Sequence, residues 1–217
     1  MSDGGSATES GQFDPEPILA VLERHGVEYV LVGGFAARMH GATRPTRDVD
    51  ITPATTRENL VRLAAALHEL HARIRTEAVP DGLPFSTSAE ALAGQQMLNL
   101  QTTHGELDLT MRPAALEGGY DELAPRALRR SVGNVQVRVA ALADVIRSKE
   151  TAGRRKDAEA LPELYRLAGA AARPPPNARP PTTTGRDKPA SSDPAERIAA
   201  ARRRAAQRDH HGPADDR

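Results

Sequence analysis

The sequence predicts a mixed α/β domain, with a small sheet flanked by helices, and three observations carry that expectation. An apolar run, Glu28 to Val32, ends in Gly33-Gly34 and passes directly into a short helical segment. Two later segments, Asp48-Val-Asp-Ile-Thr52 and Glu106-Leu-Asp-Leu-Thr110, alternate acid with apolar, the period of a half-buried strand. Between them, Thr56 to His71 places Leu60, Leu63, Ala64, Leu67 and Leu70 on one face of a helix.

In chain order, residues 1–13 are Ser/Gly-rich and read as a disordered leader without the apolar stretch of a secretory signal. Asp14-Pro15 starts a helix, with a capping acid and a proline at the first turn. Ile18, Val21 and Leu22 form its stripe, and His25-Gly26 stops it. The strand 28–32 and the glycine pair lead to a short helix, Phe35 to His40, closed by Gly41. Thr43 to Arg47 is a polar loop before the first acidic strand, and Pro80 to Pro84 is another loop. Met97 to Thr102 and Glu106 to Thr110 form a hairpin around His104-Gly105. Val135 to Val139 is a further strand, and Leu142 opens a helical region that breaks near Gly153 and runs to about Ala168.

Composition then shifts. Residues 172–217 contain Pro174-Pro175-Pro176, Pro180-Pro181 and a Thr triplet, a make-up unable to bury a core, and read as a disordered tail. Ala195 to Arg208 has helical character with little apolar face. The domain is therefore bounded at 14–171, a usual single-domain size. Net charge is zero over 217 residues, but the tail holds 10 Lys+Arg against 6 Asp+Glu and is +4, so the body is −4. That body is no dedicated nucleic-acid clamp, and aromatics at 3% argue against base-stacking platforms. Absence of cysteine removes thiol catalysis and thiolate metal sites, and fits a cytoplasmic setting. No apolar run reaches the roughly 18 residues of a membrane span.

The chemistry concentrates in Tyr29 to Thr52. A strand ending in Gly33-Gly34 before a helix lets backbone N–H groups approach phosphate, although the same turn serves equally for tight packing. Asp48 and Asp50 project from one strand face, with Val49 and Ile51 opposite. Alone they read as a solvated face. Glu106 and Asp108 repeat the arrangement on a second strand, and four acids in one small sheet call for a bridging cation. Two Mg²⁺ ions held by such carboxylates would suit in-line phosphoryl chemistry. Lys149 shares the helix face of Leu142, Val145 and Ile146, where it either snorkels to solvent or meets a triphosphate oxygen. Arg154, Arg155, Lys156 and Asp157 read as a surface turn, with Lys156 or Arg154 as secondary phosphate contacts.

The glycine pair, the spaced Asp48 and Asp50, the acid in GELDLT and the segment RSKETAGRRKD together resemble the nucleotidyltransferase superfamily that shares the DNA polymerase β catalytic fold. The resemblance spans about Ile18 to Leu167 and extends to small bacterial abortive-infection and toxin–antitoxin members. It implies that Gly33 and Gly34 cradle a nucleoside triphosphate and that Asp48 and Asp50 bind the metals. Asp108 would be the third carboxylate, assisting deprotonation of an acceptor hydroxyl, and Lys149 would contact the nucleotide. Arg47, one residue before the first acid, is a further nucleotide-binding candidate. Many members carry serine where this chain has Gly34. The resemblance admits a tRNA 3′ end, a protein or a small molecule as acceptor, and a cognate toxin or antitoxin as partner. Two rivals stand beside it. Asp48-Val-Asp-Ile-Thr52 also matches the Asp-x-Asp-x-Thr signature of haloacid-dehalogenase-type phosphatases, and the same fold could serve as a non-catalytic binding module.

Overall fold

The computed structural model describes residues 13–172. The expectations for the leader up to residue 12, for the tail from 173 and for a basic helix over Ala195 to Arg208 lie outside the described residues. Phe13 does not belong to the leader. It packs edge-on against Phe35, with ring centroids 6.0 Å apart, because an apolar ring next to the first helix is better buried than solvated.

Helix α1 (Glu16–Arg24) begins after Pro15, where Asp14 Oδ1 accepts the Glu16 N–H at 3.0 Å. It buries Ile18, Leu19 and Leu22 completely, each removing about 1.5–3 kcal/mol of apolar exposure. Gly26, at φ +65°, turns the chain into β1 (Tyr29–Leu31). Next come α2 (Gly33–Met39), β2 (Asp48–Pro53) and α3 (Arg57–Glu69). Thr56 caps α3, its Oγ1 accepting the Asn59 N–H at 3.3 Å. Asn59 itself is buried and staples three segments: its Oδ1 accepts from Glu28 N, and its Nδ2 donates to the carbonyls of Glu28 and Ala54.

The chain continues through β3 (Arg73–Ile74), α4 (Ala89–Ala93), β4 (Met97–Thr102) and β5 (Gly105–Thr110). The expected hairpin is present, with its turn at Thr103-His104 and Gly105 already paired to Thr102. Then follow α5 (Gly119–Leu123), β6 (Leu128–Val132), β7 (Val135–Val139), α6 (Leu142–Ala152) and α7 (Arg155–Ala172). Gly153, at φ +60°, ends α6 and accounts for the expected break. Arg155 to Asp157 is the first turn of α7, not a surface loop, and α7 runs four residues past the expected end.

The strands form one seven-stranded mixed sheet in the order β3-β4-β5-β2-β1-β7-β6. β2 pairs parallel with β5 and β1 parallel with β7; the other neighbours are antiparallel. One face carries Leu31, Val49, Ile51, Leu107, Leu109 and Val139, all fully buried, in a core shared with α1 and α3. The opposite face carries the acids. No helix among the described residues is long and apolar enough to cross a membrane.

Candidate active site

The parallel register of β2 and β5 sets Asp48 opposite Glu106 and Asp50 opposite Asp108. Alternation sends all four carboxylates to the face away from the core. Asp48, Asp50 and Asp108 each present an oxygen within 4.8 Å of the others. Glu106 is outside this group of three, and it forms an ion pair with Arg75.

The glycine turn lies against this cluster. Gly33 has φ +64°, and a Cβ there would stand 2.0 Å from Asp50 Oδ2, so a side chain at 33 is excluded by both backbone and space. The Gly34 N–H donates to the same oxygen at 3.2 Å. A Cβ at Gly34 would meet Thr46 Oγ1 at 2.8 Å, and that hydroxyl donates to Asp48 Oδ1. Thr46 thus brings a hydroxyl to the place where Gly34 offers none. Sequence reading passed over Thr46, since a threonine in a polar loop carries no signal of its own.

Charge in the cluster is poorly compensated. Burial pushes the Asp50 carboxyl up to about 7, reinforced by the charges of Asp48 and Asp108; the Gly34 N–H and the Lys156 charge act the other way. Burial also raises Asp108, against the pull of the Arg75 guanidinium. Arg75 Nη2 donates to both Asp108 oxygens, at 2.9 and 3.0 Å. Its Nη1 is buried against Glu106 without a well-directed hydrogen bond. Arg75 was not foreseen, because an arginine before a loop looks like any surface residue.

Lys149 takes a third course beside the two expected. Its ammonium is neither in solvent nor free, but 3.0 Å from Asp157 Oδ1, with its side chain 13% exposed. Asp157 is fully buried and also accepts from Arg154 Nε at 2.6 Å. Burial alone would raise its pKa, yet the hydrogen bonds from Arg154 and Lys149 hold it below the usual carboxylate range. Lys149, Arg154, Ser148 and Gly33 line one small cavity, so the lysine does come to the glycine turn, already clamped by an acid. Lys156 is exposed, and it is the lysine whose charge Asp50 feels. Arg47 is exposed at the start of β2 and is not among the residues lining the cavity.

The phosphatase reading required Asp48 to follow directly on an apolar strand. Asp48 instead opens β2, and the apolar strand before it ends at the glycines.

Neither a protein-family model nor a curated protein sequence matches the chain. Among solved structures it is similar to the antibiotic-resistance factor ANT(2'')-Ia in solution, at 20% identity over 90% of this chain and 93% of that one, with a TM-score of 0.46. The crystal structure of ANT(2'')-Ia in complex with adenylyl-2''-tobramycin is similar at 19% identity, covering 89% of this chain and 95% of that one, with a TM-score of 0.45. A protein from Thermotoga maritima described as a nucleotidyltransferase is similar at 14% identity, covering 74% of this chain and 99% of that one, with a TM-score of 0.44. At such distances the functional reading rests on the geometry of the acid cluster itself.

Proposed function

We propose that the chain is a metal-dependent nucleotidyltransferase, moving a nucleotidyl group from a nucleoside triphosphate to an acceptor hydroxyl with release of pyrophosphate. The observation that carries this is the meeting of Asp48, Asp50 and Asp108 within 4.8 Å, directly beside Gly33 and Gly34. The donor set fits a divalent cation. All three ligands are hard oxygens, as magnesium takes. Burial first, and then the charges of Asp48 and Asp108, raise the pKa of Asp50, and a cation on these acids would relieve both. When bound, magnesium would neutralise phosphate charge and help the pyrophosphate leave.

The remaining roles fall to the chain. Because Gly33 and Gly34 carry no side chain, Asp50 and Thr46 pack directly against the turn, and a triphosphate held by a cation on these acids would lie along it. Lys149 and Arg154, both bonded to Asp157, stand at the cavity next to that turn; Asp144, which also lines it, is paired with Arg126. The acceptor oxygen bonds to the α-phosphorus, its bond to the β-phosphate oxygen breaks, and the hydroxyl proton passes to Asp108. A carboxylate whose pKa is raised is the better base for that step. Nucleoside triphosphates are cytoplasmic substrates, and we assign the protein there.

The test incubates full-length protein with Mg²⁺ and each labelled triphosphate, adding in separate arms total tRNA, cell protein and aminoglycosides. Label should appear in one acceptor class, and that class decides between a toxin–antitoxin or defence role and small-molecule modification. Release of inorganic phosphate with no labelled acceptor would instead indicate hydrolysis and end the transferase reading.

A further inference from the structure

We propose that Arg75 is the built-in counter-charge of the acid cluster: it positions Asp108 and weakens the cluster's hold on a divalent cation. This rests on the reading of the cluster as a cation site.

Arg75 follows β3, and its backbone N–H donates to Asn99 O at 2.8 Å. Asn99 pairs with Asp108, and Asp108 with Asp50. The four residues thus form a row across the sheet. From the row's end, the Arg75 side chain crosses two strand spacings, about 10 Å, to grip both Asp108 oxygens and touch Glu106. Among the described residues no other cation forms an ion pair with Asp48, Asp50, Glu106 or Asp108.

Fastening the sheet edge is not what this side chain is for. The edge is already held by backbone bonds between Ile74 and Leu83 and by Arg73, which donates to the carbonyls of Asp81 and Gly82. A two-oxygen grip on a half-buried carboxylate instead fixes its orientation. A guanidinium a few ångströms from any cation on Asp108 also repels that cation.

Mn²⁺ titrated calorimetrically into the full-length protein tests this without reference to activity. Arg75→Gln should bind Mn²⁺ about tenfold more tightly than wild type. Arg75→Lys, which keeps the charge, should stay near wild type. Glu106→Gln should bind more weakly, and Arg75→Gln with Glu106→Gln should return towards wild type. A folded Arg75→Gln protein with unchanged or weaker Mn²⁺ binding overturns the proposal. If that variant does not fold, Arg75→Met decides in its place, and unchanged or weaker binding there overturns it equally. Wild-type protein that binds no Mn²⁺ sinks the cation site and this inference together; binding that Arg75→Gln leaves unshifted sinks only the latter.

Discussion

Asp50 and Asp157 are both acids taken out of water, one against Gly33 and the other bonded to the Lys149 and Arg154 that share a cavity with it, yet their environments push them in opposite directions. Asp50 faces two other carboxylates and has one backbone N–H for company, and its pKa rises to about 7. Asp157 is enclosed by Lys149 and Arg154, and its pKa falls. Burial raises both; the neighbouring charges decide the sign. A satisfied buried acid is part of the architecture, whereas an acid kept among like charges is a site in need of a ligand.

The largest effect should separate the two by activity. Asp48→Ala or Asp50→Ala should cut nucleotidyl transfer by roughly a hundredfold or more while far-UV circular dichroism stays that of the wild type. Full transfer in either variant would remove the metal assignment.

Asp157→Ala should separate them by stability. It leaves the Lys149 ammonium, 13% exposed, without its partner, while Arg154 at 60% can turn to water; breaking a buried pair costs about 3 kcal/mol. Denaturant melts should register that loss, while Asp50→Asn should melt at or above wild type. Equal destabilisation by the two would show that the contrast in charge does not matter to the fold.

The pH dependence sharpens the same contrast. The folded pKa of Asp50, about 7, lies above its usual value of 3.8. Between those values the native state binds the proton and the unfolded state does not, so stability falls as pH rises through that window. In EDTA, the melting-temperature advantage of Asp50→Asn over wild type should therefore grow between pH 3.8 and about 7 and level off above. Mg²⁺ should close it. An advantage independent of pH would mean that Asp50 ionises normally.

The smallest effect is expected from the tail. Removing residues 173–217 should change neither melting temperature nor the chemical step, since the core and acid cluster lie within 13–172. A loss of transfer to a polyanionic acceptor only would give the +4 segment a docking role.

Much of the site could be read from local pattern, because local pattern is where its constraints lie. Gly33 is needed at a positive φ, and Asp48 with Asp50 shows strand period in the chain itself. The elements that escaped notice lack such marks. β6 is exposed along Leu128 to Ser131 and has no alternation; it is a strand because β7 offers it an edge. β3 is two residues long, and Asn59 bonds to segments 31 and 5 residues away.

By itself the sequence determined which residues could face one another: period two sends Asp48, Asp50, Glu106 and Asp108 to one side of their strands, and leucine, valine and isoleucine to the other. Only the tertiary structure decided who meets whom. The parallel pairing of β2 with β5 brings Asp50 to Asp108, Arg75 reaches over β4 to claim Glu106 and Asp108, and the start of α7 delivers Asp157 to Lys149. Alternation follows from backbone geometry within a few residues. Charge partners are chosen across strands and helices by the packing that covers them, and no window of sequence contains that choice.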